Sequence, residues 1–207
     1  MKSIHIPLAL AVAVAAAVPA GVHAHFKLLE PASWIVESER GDPQKAAPCG
    51  AVPDAKPSDA ITKVTGGSKL HLKVQETIYH PGHYRVALAV NSRGELPTDP
   101  ITVEKMTERG PQSVWAAIQS PPQIPVIADG LFQHYARPAA AQTFEGDVQL
   151  PNITCAKCTL QVIQFMADHG YNQPGGYSYH HCADLAITAD ASKPLDKGWP
   201  TAVGTAN

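Results

Sequence analysis

Apolar and polar residues alternate along this chain, and no segment keeps a helical repeat. Leu70-His71-Leu72-Lys73-Val74-Gln75 changes character at every residue, as a strand with one buried face requires, and residues 76–79 extend it. His80-Pro81-Gly82-His83 interrupts the pattern, because Pro-Gly favours a turn and proline cannot donate to a ladder. Residues 84–90 resume the alternation up to a turn at Asn91-Ser92-Arg93-Gly94. Residues 144–150, 158–166 and 179–188 also read as strands, the middle one the densest in apolar side chains.

Other stretches are less regular. Residues 26–30 form a short extended segment closed by Pro31, whereas residues 41–50 hold turn formers and no apolar period. A long loop pinned by Cys49 is expected there, continued by Pro53 and Pro57. Between 95 and 140 the pattern weakens: residues 114–118 suit a short helix or a strand, and Pro121 to Pro125 are extended. Residues 168–176 make a loop, and the tail at 190–207 should be loosely ordered. Short strands divided by turn chemistry predict an all-β fold, an antiparallel β-sandwich of the immunoglobulin or fibronectin III type with long loops.

The first 24 residues predict a signal peptide, with Lys2, an apolar run over 6–18 and small residues in Val22-His23-Ala24. Removing them from 207 leaves 183 residues, one domain over 25–189 followed by the tail. The leader is too short and too rich in alanine to persist as a membrane span, so a secreted or periplasmic monomer is expected. Without Lys2 the balance is 15 basic against 18 acidic side chains in no long block. That argues against nucleic acid and anionic membranes as partners and for a neutral substrate. Cys49, Cys155, Cys158 and Cys182 suggest two disulfides. Three connectivities are open, and Cys49 with Cys182 plus Cys155 with Cys158 is the preferred one.

Cleavage after Ala24 changes the chemistry of His25. An N-terminal histidine offers its α-amine and an imidazole nitrogen to one metal ion, so one residue supplies two ligands. A second histidine completes a T-shaped set of three nitrogens, which suits tetragonal Cu(II) better than tetrahedral zinc. His80 and His83, at the break between two strands, are the candidates, with His80 preferred. On the last strand Tyr179, His181 and Ala183 share one face, while His180, Cys182 and Asp184 share the other.

With these residues in place the chain resembles the lytic polysaccharide monooxygenases and their copper-binding kin. His80 precedes Tyr84-Arg85 much as that family's second brace histidine precedes an aromatic-Arg step. Tyr179-His180-His181-Cys182-Ala183-Asp184 is similar to its aromatic-x-x-Cys-Ala-Asp pattern. The resemblance implies one copper ion in a histidine brace on a β-sandwich, held by His25 and His80. It further implies Tyr179 as the neighbour on the metal's axis, His181 behind it, and Gln164 or Gln161 as a polar group near bound oxygen species. The chain departs from the family in its two histidines at 80 and 83, in the His180-His181 pair, and over 95–140. His71, His134 and His169 are expected in loops or facing solvent, and Trp34 in the core or on a sugar-contacting face.

Three functions are compatible with this reading. The resemblance implies oxidative cleavage of a polysaccharide of the chitin or cellulose class. An aromatic content of 6% leans instead toward a protein that binds or delivers copper without oxidising sugar. A metal-free scaffold domain is the third, and it leaves the aligned histidines without a purpose.

Overall fold

A computed structural model describes residues 25–50 and 52–203, and the leader assigned to 1–24 lies outside the described residues. The regular elements are β1 (His25–Glu30), β2 (Ile61–Thr65), β3 (Lys69–Ile78), β4 (Gly82–Ala89), β5 (Thr102–Thr107), β6 (Gly110–Ala116), β7 (Val126–His134), β8 (Thr143–Gln149), β9 (Cys155–Met166) and β10 (Ser178–Thr188). They form a three-stranded sheet β1-β3-β8, a five-stranded sheet β2-β10-β9-β4-β7, and a two-stranded ribbon β5-β6. Each neighbouring pair is antiparallel except β2 with β10. The fold is an all-β sandwich.

Its core lies where the alternation puts it. Leu70, Leu72 and Val74 of β3 join Phe26 and Leu28 of β1 on one sheet, facing Tyr84, Val86 and Leu88 of β4 and Leu160, Val162 and Met166 of β9. Burying a side chain of this size contributes roughly 1.5–3 kcal/mol.

The central strands depart from the half-buried expectation, since all eight residues of β4 are buried. The outer face of the five-stranded sheet is covered as well. The 33–50 segment lies across it, with Trp34 N donating to Cys182 O at 3.0 Å and Gln161 Nε2 donating to Pro48 O at 2.8 Å. The Cys49–Cys182 disulfide fastens that cover, and Cys155 pairs with Cys158. The β6 strand and the segments after β9 add a small second cluster of Ala116, Phe165, Ala167 and Tyr177. Among the described residues no helix is long and apolar enough to cross a membrane.

Other expectations change too. Residues 61–65, placed in an irregular stretch, pair with β10, and the weak region 95–140 contributes β5, β6 and β7. The tail is not loose over 190–203. Asn152 Nδ2 donates to the carbonyls of Asp190, Lys193 and Pro194, and Trp199 packs on the core.

Candidate metal centre

Strand register brings the N-terminal strand to the break after β3. His25 pairs with Ile78, two residues before His80, and Thr77 Oγ1 donates to the His25 carbonyl at 3.2 Å. The His25 ring is buried, with Nε2 3.2 Å from Asp42 Oδ2. That carboxylate accepts from Nε2 and holds the ring in place. The ring meets Tyr179 edge-on at 5.4 Å.

Tyr179 on β10 pairs with Gln164 on β9, which pairs with Tyr84 on β4. This row faces the core at the end where β3 gives way to β4. The Tyr179 phenol is pushed up to about 12, by burial first and the Asp42 carboxylate second, so it stays protonated.

His80 is the other half of the centre. Its Nδ1 lies 3.1 Å from the Ala167 carbonyl, so the proton sits there and Nε2 carries a lone pair. Nε2 is buried and makes no hydrogen bond. Burial, then the nearby His169, lowers the pKa to about 4, and the ring is neutral at neutral pH. A neutral imidazole whose other nitrogen donates to a backbone carbonyl is oriented as metal-binding histidines are. The His169 ring lies edge-on to His80 with centroids 4.5 Å apart.

A buried polar network supports the turn at His80. Glu76 Oε1 accepts from Gln164 Nε2 at 2.5 Å, from Tyr84 Oη at 3.3 Å and from His134 Nε2 at 2.8 Å. His134 Nε2 is also 2.7 Å from the His80 carbonyl, and its Nδ1 is 2.6 Å from Phe132 O. The Phe132 and His80 carbonyls and the Glu76 carboxylate are all acceptors for this ring. Burial opposes its charge, but the bonds to Glu76 and the carbonyls outweigh burial and its pKa rises. Glu76 continues the inward series Leu70, Leu72, Val74, and Gln164 that of Leu160 and Val162. A polar residue in phase with core positions is therefore a readable signal.

Other candidates lie elsewhere. His181 is fully buried beneath β1, with Nε2 donating to Phe26 O at 3.0 Å and Nδ1 3.2 Å from Glu37 Oε1. Burial lowers its pKa to about 4 and raises that of Glu37 to about 7, so the imidazole is neutral while the carboxyl titrates near neutrality, and the ring's bond to Phe26 O anchors the strand carrying His25. His83, expected as a solvated turn residue, is buried on the opposite sheet face against Phe165 and near Asp129. The β4 alternation puts it on the side away from Tyr84. His180 reaches Asp99 at 2.7 Å, while its backbone N–H donates to Gln44 O. Gln161 serves the Cys49 loop, as described above. Trp34 lies under the Arg93 guanidinium at 3.5 Å. His71 faces solvent beside Glu145 and Asp147, but His134 and His169 are buried or nearly so, contrary to expectation.

Among the described residues no three His, Cys, Asp or Glu side chains converge to hold a metal ion. A brace needs only two imidazoles, because its third donor is a backbone amine released by cleavage. No protein-family model matches the chain, and no curated protein matches it.

Proposed function

We propose that the mature chain is an exported mononuclear copper protein resembling the lytic polysaccharide monooxygenases, acting on a neutral polysaccharide of the chitin or cellulose class. His25 and His80 hold the metal. The observation that carries the reading is the His80 imidazole at the break after β3: one nitrogen is tied to Ala167 O, and the other is buried with no hydrogen-bond partner. Three nitrogen donors favour Cu(II), and the amine must lose its proton to bind, so affinity falls in acid.

Bound copper supplies one-electron redox chemistry and activation of dioxygen or peroxide. The chain's own residues hold the frame. Asp42 orients the His25 ring, His181 anchors β1 through Phe26 O, and Tyr179 walls the site with a ring that keeps its proton. Gln164 and His134, joined at Glu76, brace the turn from below.

The test compares a chain beginning at His25 with one that retains Ala24. The first should bind one equivalent of Cu(II) and release oxidised oligosaccharides from chitin or cellulose when given reductant and peroxide. The second should lose tight binding. Equal binding by both would remove the brace. Full loading without oxidised products would leave the second reading, copper capture or delivery.

A further inference from the structure

We infer that a cleft on the outer face of the five-stranded sheet binds a sugar acid, a ligand with one carboxylate and several hydroxyl groups. The cavity measures about 360 Å³, within the range of small-molecule sites. It lies between the segment around Trp34, the start of β2, the start of β9 and the short 3₁₀ turn Arg93–Glu95. Asp184 of β10 is its floor, paired with Ile61 on one side and Thr159 on the other. That residue points away from the core and sits five positions along β10 from Tyr179. The cleft is therefore separate from the candidate copper centre, and the inference stands without it.

Arg93 marks the site. Its guanidinium lies over the Trp34 ring at 3.5 Å, so the cation is held flat on an aromatic face. Asp184 Oδ1 is 3.8 Å from Arg93 Nη2, beyond hydrogen-bond distance, and Asp184 Oδ2 is taken by Lys157 Nζ at 3.1 Å. The donors of Arg85, by contrast, are spent on Asp129 at 2.7 Å and on Ala117 O at 3.0 Å. Among the described residues no acceptor receives a hydrogen bond from Arg93, and its planar fork suits the two oxygens of a carboxylate. Burial lowers the Arg93 pKa more than Asp184 raises it, a desolvation that a bound anion would relieve.

A bare anion leaves the remainder of the cleft unexplained. Trp34, Pro57 and Ile61 give it apolar walls, while Asp184 on the floor and Asp59 on the rim add two acidic acceptors. Those acceptors repel a simple anion and match the hydroxyl donors of a sugar. The frame is also fixed before any ligand arrives. Trp34 N–H donates to Cys182 O at 3.0 Å, Trp34 Nε1 to Cys49 O at 3.2 Å, and Ser58 N–H to Trp34 O at 2.9 Å. Glu95 Oε2 accepts from the Val90 and Asn91 N–H groups at 2.7 and 3.1 Å, which holds the turn that carries Arg93. Such preorganisation lowers the cost of binding.

The test titrates the chain from His25, with no metal added, with sodium D-glucuronate in a calorimeter, alongside D-glucose, acetate and inorganic phosphate. Glucuronate should bind at least about 10-fold more tightly than any of the others, and its affinity should fall as salt rises. With the melting temperature unchanged, Arg93→Gln should weaken glucuronate binding by about 10–100-fold and Lys157→Gln by less. Arg109→Gln, in the turn between β5 and β6, should change nothing. Wild-type affinity in Arg93→Gln, or no binding by the unsubstituted chain, would overturn the assignment. Equal affinity for acetate or phosphate would remove the sugar body, and equal affinity for glucose would remove the carboxylate. A further readout needs no variant: saturating glucuronate should shield the exposed Lys157 amine from acetylation while Lys69 reacts as before. Undiminished labelling of Lys157 would overturn the proposal, and none of these outcomes bears on copper binding.

Discussion

His80 and His181 are both buried, both neutral, and both pushed to about pKa 4 with burial as the first cause, yet they do different work. Around His181 Nε2 donates to Phe26 O, and Nδ1, although it makes no hydrogen bond, lies 3.2 Å from the Glu37 carboxyl. Around His80 the backbone satisfies one nitrogen and the fold leaves the other with nothing. Burial and a shifted pKa therefore do not separate a structural histidine from a metal-binding one. What separates them is the neighbour of the nitrogen that makes no hydrogen bond: the Glu37 carboxyl stands beside that of His181, and among the described residues no carboxylate lies within ion-pair distance of His80.

The strongest way to break this contrast is His80→Ala. Cu(II) affinity should fall by about 100-fold or more, with a stability loss of roughly 1–3 kcal/mol from the vacated volume and the lost bond to Ala167 O. Isothermal titration and melting curves read both quantities. His181→Ala should do the reverse, lowering stability by roughly 2–4 kcal/mol in denaturant titration through a cavity and a lost hydrogen bond, with a smaller loss of copper affinity. Equal effects of the two variants on metal binding would erase the distinction.

Glu37→Gln sharpens it through pH. The Glu37 pKa is raised to about 7, so the folded state keeps a proton that the unfolded chain has released. Its contribution is complete below the unfolded value near 4.5 and is lost as pH rises through 7. The stability of wild type relative to Glu37→Gln should therefore decline from pH 4.5 to 7 and level off above it. A constant gap would show that Glu37 ionises normally. The smallest effect is expected for Tyr179→Phe, below about 1 kcal/mol in stability, because the packing ring is kept.

The sandwich core was legible because β3, β4, β9 and β10 obey a two-residue period at their inward positions. The outer face was not. Covers made from residues 33–50 and from β5-β6 have no period of their own, and β5 is exposed along most of its length. β7 was hidden by its irregularity, since its pairing with β4 slips repeatedly and Gly130 and Phe132 both take positive φ. In the candidate centre, His25, His80 and Tyr179 could be picked out from position and pattern. Gln164 and Glu76 were visible as polar residues at core phase, although only the first was singled out. His169 gave one faint cue, Asp168-His169-Gly170, in which Asp and Gly suit a sharp reversal. Its contact with His80 depends on a clamp from Ser113, more than fifty residues upstream, which no local pattern announces.

The bond between Cys49 and Cys182 bears on how such a centre comes to maturity. The segment it fastens to β10 carries Asp42, which steers the His25 ring, and Gln44, whose side chain accepts from the Phe26 N–H. While the thiols stay reduced, that loop lacks its covalent tie to β10, and the first histidine loses its guide. On the proposed copper reading, oxidation of these thiols has to come before uptake of the ion, and a reduced chain should bind Cu(II) more weakly.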